Sequence, residues 1–313
     1  MFKGLIINLI LATLFSQINP TNISLKYSFK SDLNGLVQEI QVGGDNSFPM
    51  KRLESKSLGI KTEARSVIIR DGGTGKILFE KNSKEKLPVA SITKLMTAVV
   101  FLDLSPDWQK EIEVTSQDER EGGKLYVMRG EKVKVLDLFY TALAGSANNA
   151  ILALVRATGK SQEEFVNLMN KKAKSLDLKD THFVEPTGLS PQNISSAQDI
   201  AKLASYALRF KEIRDATTTE NYSFKSLNGR GHDIKNTDLL LKSFLNDEKS
   251  GYRITGGKTG YIEEAGYCLM TRVANKRENE IIVVVLGAED HFARFQEVKG
   301  LAFWTFENYE WTD

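Results

Sequence analysis

The chain has 313 residues, 41% hydrophobic and 26% charged, which is typical of a soluble globular protein. The 42 Lys and Arg residues nearly balance 40 Asp and Glu residues, so the formal net charge is +2. This balance argues against non-specific nucleic-acid binding, which needs a basic surface. A single cysteine, Cys268, rules out an intrachain disulfide, and the three scattered histidines lack metal-ligand spacing. We therefore expect no metal and no cofactor.

The first 20 residues have the pattern of a secretory signal peptide or an N-terminal anchor. Lys3 precedes an apolar run from Gly4 to Phe15, which is shorter than the roughly 20 residues that a spanning helix needs. No Ala-x-Ala cleavage site follows, so both cleavage and membrane attachment stay open. We expect the body to be exported, to the periplasm or the outer face of the cytoplasmic membrane. Residues 21–61 are polar and lack sustained periodicity, which predicts a linker or extension.

The body, residues 62–313, alternates strand and helix patterns. Residues 66–70 and 76–80 flank a Gly-rich turn and predict a hairpin. Apolar spacing then predicts helices over 90–104, 135–144, 147–156, 161–175 and 197–210, strands over 252–255, 266–273 and 281–287, and a closing helix over 291–308. Strands from both chain ends therefore surround a helical insertion. We predict an α/β fold, with one sheet flanked by helices and an inserted all-α subdomain at about 110–245.

The first candidate motif opens the helix predicted from residue 90. Ser91 and Lys94 form a Ser-x-x-Lys pair, and this spacing puts both side chains on one helical face. A serine nucleophile needs an adjacent base, and a lysine can serve when its pKa is lowered. A plain helix N-cap is the alternative for Ser91. Ser83 and Lys86 share the spacing but lie in a polar turn.

Two further motifs follow. Ser146 and Asn148 form a Ser-x-Asn triplet between two predicted helices, where an N-cap is again the alternative. Lys258, Thr259 and Gly260 form a Lys-Thr-Gly triplet, predicted to lie on a strand where glycine lets a ligand approach the backbone. A polar edge strand guarded by a lysine is the alternative there.

The three motifs occur in the order found in penicillin-binding proteins and β-lactamases. Over about residues 62–311 the sequence resembles the serine D-alanyl-D-alanine carboxypeptidases, the low-molecular-mass penicillin-binding proteins. The resemblance extends to PVASITKLMT at 88–97, THFVEPTGL at 181–189 and AGYCL at 265–269. It implies a β-lactamase/transpeptidase-like fold with an antiparallel sheet. The domain assignment is then a signal peptide or anchor at 1–20, a linker at 21–61 and a catalytic domain at 62–313.

The resemblance also implies roles for individual residues. Ser91 would attack the carbonyl between the terminal D-alanines of a peptidoglycan stem peptide, with Lys94 accepting its proton. Repulsion from Lys258 would keep Lys94 partly neutral. The remaining roles are a proton relay at Ser146, amide binding at Asn148, carboxylate binding in the Lys258-Thr259-Gly260 strand, and an oxyanion hole of the Ser91 and Tyr261 N–H groups. The expected partners are stem peptides, with β-lactam antibiotics as inhibitors.

Three alternatives stay open. An endopeptidase would cut peptide cross-links with the same chemistry, and a catalytically silent module would only bind penicillin or scaffold the wall. A β-lactamase would need a further base, usually Glu. Glu185 lies near the place of that base, but the following Thr-Gly-Leu-Ser fits the carboxypeptidases better, so we expect Glu185 to face solvent at the cleft edge. His182 and Cys268 are expected to be structural.

Overall fold

The computed structural model describes residues 49–52, 54–119, 122 and 125–311. The predicted signal peptide or anchor at 1–20 and most of the linker at 21–61 lie outside the described residues. The described body forms a single compact unit from Pro49 to Trp311.

The body combines strands and helices throughout its length. The strands are β1 (Pro49–Lys51), β2 (Ser66–Asp71), β3 (Ile77–Lys81), β4 (Leu87–Pro88), β5 (Glu111–Glu113), β6 (Lys132–Lys134), β7 (Ile194–Ser195), β8 (Asn221–Lys225), β9 (Gly231–Lys235), β10 (Tyr252–Ile262), β11 (Gly266–Asn275), β12 (Glu280–Ala288) and β13 (Tyr309–Trp311). The helices are α1 (Thr93–Asp103), α2 (Val135–Leu143), α3 (Asn148–Ala157), α4 (Gln162–Ser175), α5 (Ala197–Ala207), α6 (Lys211–Thr218) and α7 (Ala293–Asn308).

The central sheet has five antiparallel strands in the order β10-β11-β12-β2-β3. The predicted hairpin at 66–80 supplies one edge, and the C-terminal strands supply the other. The expectation of one sheet built from both chain ends is therefore confirmed. In this order β10 is an edge strand, which leaves the Lys258-Thr259-Gly260 triplet open to the helical part of the molecule.

The middle strand of the sheet separates two hydrophobic cores. Alternate side chains of a strand point to opposite faces. Ile282, Val284 and Leu286 of β12 therefore join the core that contains α1 and α5. Ile281, Val283 and Val285 join the core under α7. Burying each such side chain contributes roughly 1.5–3 kcal/mol, so the strand is stabilised from both faces.

The inserted segment is mostly helical but also contains strands that periodicity did not predict. The pairs β5–β6 and β8–β9 are short, and their charged alternate residues give little apolar signal. The helix predicted over 197–210 ends at Ala207, and α6 follows it from Lys211. Helix α6 and the turn Ala90–Ile92, which precedes α1, contact β10.

The segment from residue 49 to 61, predicted to belong to the linker, contacts the body. Strand β1 pairs with β13 near the other end of the described chain. The Arg52 N–H donates to Asn308 O at 2.9 Å, and Trp304 Nε1 donates to Ser57 Oγ at 2.9 Å. The described fold therefore starts before the predicted boundary at residue 62.

Candidate active site

Ser91 lies in a 3-10 turn, Ala90–Ile92, which leads directly into α1. The hydroxyl does not cap the helix, because no side-chain cap bond is made at either helix start. Ala90 holds a positive φ of 48°, a conformation that costs a non-glycine residue about 1–2 kcal/mol. Ser91 is half-buried, and its Oγ lies 2.8 Å from Lys94 Nζ. The predicted serine–lysine pair is thus in hydrogen-bond contact.

Lys94 is completely buried and has three oxygen neighbours. Besides Ser91 Oγ, its Nζ lies 2.7 Å from Asn148 Oδ1 and 2.6 Å from Thr187 O. Both of these oxygens can only accept hydrogen bonds, and a neutral amine has two N–H bonds. The two oxygens therefore use both N–H bonds of a neutral Lys94. The remaining lone pair is directed to the Ser91 hydroxyl, as a general base requires.

Burial is the main reason why Lys94 can be neutral. It lowers the pKa of Lys94 from 10.5 to about 7, against a smaller raising effect of the Glu185 charge. Burial, and not the expected repulsion from Lys258, is therefore the main cause of the lowered pKa of Lys94. The pKa of Lys258 is also lowered well below its usual value, first by burial and then by the charges of Lys94 and Arg294.

Ser146 and Asn148 occupy the junction between α2 and α3, as the sequence predicted. Ser146 has a φ of 59°, so this junction also carries backbone strain. Its Oγ accepts a hydrogen bond from Lys258 Nζ at 2.9 Å. Asn148 Nδ2 donates to Gly122 O at 2.9 Å, which turns Oδ1 towards Lys94 and leaves a second N–H available.

The Lys258-Thr259-Gly260 triplet lies on β10, and its backbone approaches the serine turn. A Cβ at Gly260 would lie 3.0 Å from Val89 O and 3.1 Å from Ser91 N. Lys258 is buried, and its Nζ donates to Thr259 O at 3.0 Å as well as to Ser146. The Oγ1 atoms of Thr259 and Thr237 are 2.6 Å apart. The absence of a side chain at Gly260 therefore lets β10 lie close against Ser91 without displacing its neighbours.

Tyr261 follows the triplet on the same strand, and 51% of the residue is exposed. Its ring stacks on Tyr267 of β11, with the centroids 4.3 Å apart. The structure thus brings Ser91, Lys94, Ser146, Asn148 and the triplet together around one centre, with Tyr261 beside them on β10.

The profile of the D-alanyl-D-alanine carboxypeptidase family, peptidase family S11, matches residues 52–290. The chain belongs to this family.

Similar proteins carry three different activity names. D-alanyl-D-alanine carboxypeptidase DacF of Bacillus subtilis is 34% identical over 254 residues, 79% of this chain. A D-alanyl-D-alanine endopeptidase of Pseudomonas aeruginosa is 33% identical over 243 residues, 76% of each chain. The Streptomyces K15 DD-transpeptidase superposes with a TM-score of 0.71 at 27% identity, covering 79% of this chain and 98% of its own. The last similarity confirms the predicted β-lactamase/transpeptidase-like fold. The chain spans 63% of the length of DacF.

In this family member, the segment that carries Glu185 forms one wall around Lys94. The Glu185 carboxylate accepts hydrogen bonds from Thr187 N and Gly188 N, each at 2.6 Å, and from Asn193 Nδ2 at 2.8 Å. The expectation that Glu185 simply faces solvent is therefore met only in part, because the residue is partly exposed but its oxygens bind its own loop. A carboxylate used in this way is poorly suited to activate water, which argues against a β-lactamase base.

Three further groups near the site were not predicted from the sequence. Thr187 acts through its backbone oxygen, which no residue pattern reveals. Arg294 of α7 is buried and donates from Nη1 to Gly260 O at 2.9 Å and Cys268 O at 3.3 Å. Asp238 is a buried carboxylate beside β10. No motif of the sequence pointed to it.

The other side chains that could be reactive, two histidines and the cysteine, form no hydrogen bond with Ser91 or Lys94 among the described residues. His232 is buried beside Glu131, with His232 Nε2 3.1 Å from Glu131 Oε1. Burial raises the pKa of Cys268 to about 11, so its thiol stays protonated. His182 is exposed, and its backbone bridges Ile194. In the described part of the chain, no helix has both the length and the apolar character that crossing a membrane requires.

Proposed function

We propose that the protein is a serine D-alanyl-D-alanine carboxypeptidase that removes the terminal D-alanine from peptidoglycan stem pentapeptides through a Ser91 acyl-enzyme. One observation carries the proposal. The two N–H bonds of a neutral Lys94 are taken by Asn148 Oδ1 and Thr187 O, so its lone pair is left for the Ser91 hydroxyl 2.8 Å away.

Acylation begins when Lys94 takes the Ser91 proton and Oγ attacks the carbonyl between the two D-alanines. The N–H groups of Ser91 and Tyr261 receive the developing oxyanion, at about 3–4 kcal/mol per donor in comparable enzymes. The close approach of Gly260 to Ser91 N supports this pairing, because Tyr261 is the next residue on β10.

Departure of D-alanine requires a proton on its nitrogen. Lys258 already donates to Ser146 Oγ at 2.9 Å, so the Ser146 hydroxyl is free to donate its own proton to the leaving amine. The proton that Lys94 accepted from Ser91 then restores the Ser146 hydroxyl and leaves Lys94 neutral again. Lys258 and Thr259 bind the terminal carboxylate, and the second N–H of Asn148 binds the donor amide. Water then hydrolyses the acyl-enzyme.

The same acyl-enzyme accounts for the other parts of the proposal. β-Lactams enter as substrate mimics and remain bound to Ser91. Peptidoglycan lies outside the cytoplasmic membrane, so the protein is exported, and residues 1–20 act as its signal peptide or N-terminal membrane anchor. The predicted linker at 21–61 and catalytic domain at 62–313 meet earlier than the sequence suggested, so we take the catalytic domain to begin at about residue 49.

Endopeptidase activity is the second candidate, since a relative with that name is as similar as the carboxypeptidase. The two activities share every step except the leaving group. Incubation with a stem pentapeptide and with a cross-linked peptide dimer, followed by mass spectrometry, separates them. Loss of one D-alanine from the pentapeptide is the expected result, and exclusive cleavage of the dimer would replace the carboxypeptidase assignment.

Covalent labelling by a fluorescent penicillin tests the nucleophile. Ser91→Ala should abolish the label. Ser83→Ala is a matched control, because Ser83 has the same Ser-x-x-Lys spacing but hydrogen-bonds Glu80. Persistent labelling of the Ser91→Ala protein would remove the assignment.

A further inference from the structure

Thr237 links two parts of the active site, although the mechanism above gives it no role. Its N–H donates to Ala144 O at 3.0 Å, in the junction that carries Ser146. Its Oγ1 lies 2.6 Å from Oγ1 of Thr259 on β10. Thr259 is buried, and Thr237 is partly exposed. Thr237 therefore touches a residue to which the proposed mechanism assigns the terminal carboxylate of the substrate.

The residues on either side of Thr237 hold it in this position. Asn236 Nδ2 donates to Thr217 O at 3.0 Å and to Thr219 O at 2.9 Å, at the end of α6. The Oδ1 of Asn236 accepts a hydrogen bond from Asp238 N at 2.9 Å. The backbone is thus fixed before and after Thr237. A hydroxyl held in this way has little conformational freedom left to lose when a ligand binds.

The direction of the hydrogen bond between the two threonines decides what Thr259 can do. A hydroxyl has one proton to donate, and a carboxylate can only accept. When a carboxylate binds at Thr259, the Thr259 proton has to point at it, so Thr237 must be the donor between the two hydroxyls. The Thr237 proton is available for this bond, because its other acceptor among the described residues is Ala144 O at 3.4 Å, a much longer contact.

A donor behind Thr259 strengthens the bond that Thr259 makes. A hydroxyl that accepts one hydrogen bond becomes a better donor for the next, because the two bonds polarise each other. The bond from Thr259 to a carboxylate is charge-assisted, and such bonds are roughly twice as strong as neutral ones. Loss of the Thr237 hydroxyl should therefore weaken the binding of an anion at Thr259.

We propose that Thr237 is a positioning residue that donates to Thr259 and thereby directs the Thr259 proton to the carboxylate of the substrate. The inference rests on the proposed function and adds to it a determinant of affinity for a free terminal carboxylate. Lys258 supplies the positive charge, and the two threonines supply a directed donor. Thr237 itself touches neither the carboxylate nor the reacting atoms.

The first test is the steady-state hydrolysis of a stem pentapeptide by the wild type and by Thr237→Val, which removes the hydroxyl and keeps the volume. The carboxylate is bound before and during acylation, so the loss should appear as a raised KM with little change in kcat. We expect KM to rise about tenfold, the usual size for a hydrogen bond to a charged group. Thr237→Ser keeps the hydroxyl and should stay within about twofold of the wild type. An unchanged KM in Thr237→Val, or a loss in kcat alone, would overturn the inference.

A double-mutant cycle distinguishes this positioning role from a structural role and from direct contact with the substrate. If Thr237 acts through Thr259, adding Thr237→Val to Thr259→Val should change kcat/KM by less than about twofold. If Thr237→Val instead causes the same loss with and without the Thr259 hydroxyl, Thr237 acts independently of Thr259. That result would overturn the inference.

Thr305→Val is the matched control, since Thr305 is a buried threonine of α7 whose hydroxyl donates to Leu301 O at 2.8 Å. It should leave KM unchanged. Thr237→Ala covers the case in which Thr237→Val does not fold, because it also lacks the hydroxyl and has fewer atoms to place, and the same rise in KM is expected. None of these results would affect the proposed function, which fails only if the wild type releases no D-alanine from the pentapeptide.

Discussion

The two buried lysines of the site share a residue type and an environment but differ in their hydrogen-bond partners. Lys94 has two carbonyl-type oxygens and a serine hydroxyl around Nζ, which occupy all of its positions. Lys258 has two partners among the described residues, Ser146 Oγ and Thr259 O, so the charged form of Lys258 keeps one N–H for a ligand. Burial lowers the pKa of both side chains.

This difference shows that burial alone does not decide what a lysine does. Because two oxygens take both N–H bonds of a neutral Lys94, only its lone pair remains available to Ser91. A free N–H makes Lys258 the lysine that can receive an anion. The nearby carboxylates do not create this distinction, because Glu185 raises the pKa of Lys94 and Asp238 raises the pKa of Lys258.

The largest expected effect is the loss of acylation rate when Lys94 is replaced by arginine, compared with the same replacement at Lys258. Arginine stays protonated and cannot act as a base. Lys94→Arg should therefore lower the acylation rate by about 10³-fold, within the range of general-base catalysis. Lys258→Arg keeps a cation, so we expect a smaller loss, mainly as a raised KM for a peptide with a free terminal carboxylate.

Steady-state kinetics on the peptide and the rate of penicillin labelling measure both effects. In the wild type, acylation should increase as the pH rises through about 7, where Lys94 loses its proton. This rise of the acylation rate near pH 7 should be absent from the residual activity of Lys94→Arg. Equal losses in the two arginine variants, or a flat wild-type profile with acylation rate-limiting, would contradict the division of roles.

Two glycines allow the surroundings of each lysine to be disturbed separately. Gly188 follows Thr187, has a φ of 88°, and would place a Cβ 2.0 Å from Ala90 O. Gly188→Ala should therefore displace the wall that holds Lys94 and destabilise the fold by about 2–4 kcal/mol, from backbone strain and overpacking. Gly260→Ala meets milder contacts of 3.0–3.1 Å and should cost about 1–2 kcal/mol.

Chemical denaturation measures these free energies of unfolding, and labelling at a pH of full activity measures acylation. A larger loss of acylation in Gly188→Ala than in Gly260→Ala would show that the Lys94 side tolerates less movement. The reverse order would contradict our description of the Gly188 contact with the serine turn.

Much of the fold and most of the site could be predicted from the sequence, for reasons that particular residues make clear. The apolar run of β12 and the spacing of Leu95, Met96 and Val99 in α1 give strong periodic signals. The motif spacing led to Ser91, Lys94 and Lys258 because chemistry fixes those side chains. The role of Thr187 could not be predicted, since a backbone oxygen acts through the path of its loop. Glu185 was misplaced for a related reason, as its partners are N–H groups of the residues that follow it.

The smallest effect on the chemistry is expected for Glu185→Gln. This variant distinguishes a carboxylate that only organises its loop from one that activates water for deacylation. If the carboxylate only organises its loop, the lifetime of the penicillin acyl-enzyme should change by less than about twofold. Glutamine keeps one acceptor but turns an NH₂ group towards N–H donors. We therefore expect a loss of about 1–3 kcal/mol in the free energy of unfolding.

The measurement is the decay of the acyl-enzyme by intact-protein mass spectrometry, because deacylation is the step a β-lactamase base would serve. Each oxygen of Glu185 already accepts from the loop, including Thr187 N and Gly188 N at 2.6 Å. Activating a water molecule would require those bonds to break. Glu164→Gln is the matched control, since Glu164 also bonds to backbone N–H, at Ser161 in the capping box of α4. It should lose stability without any change in lifetime. Rapid wild-type turnover that slows a hundredfold or more in Glu185→Gln alone would make Glu185 the base for water and favour the β-lactamase alternative.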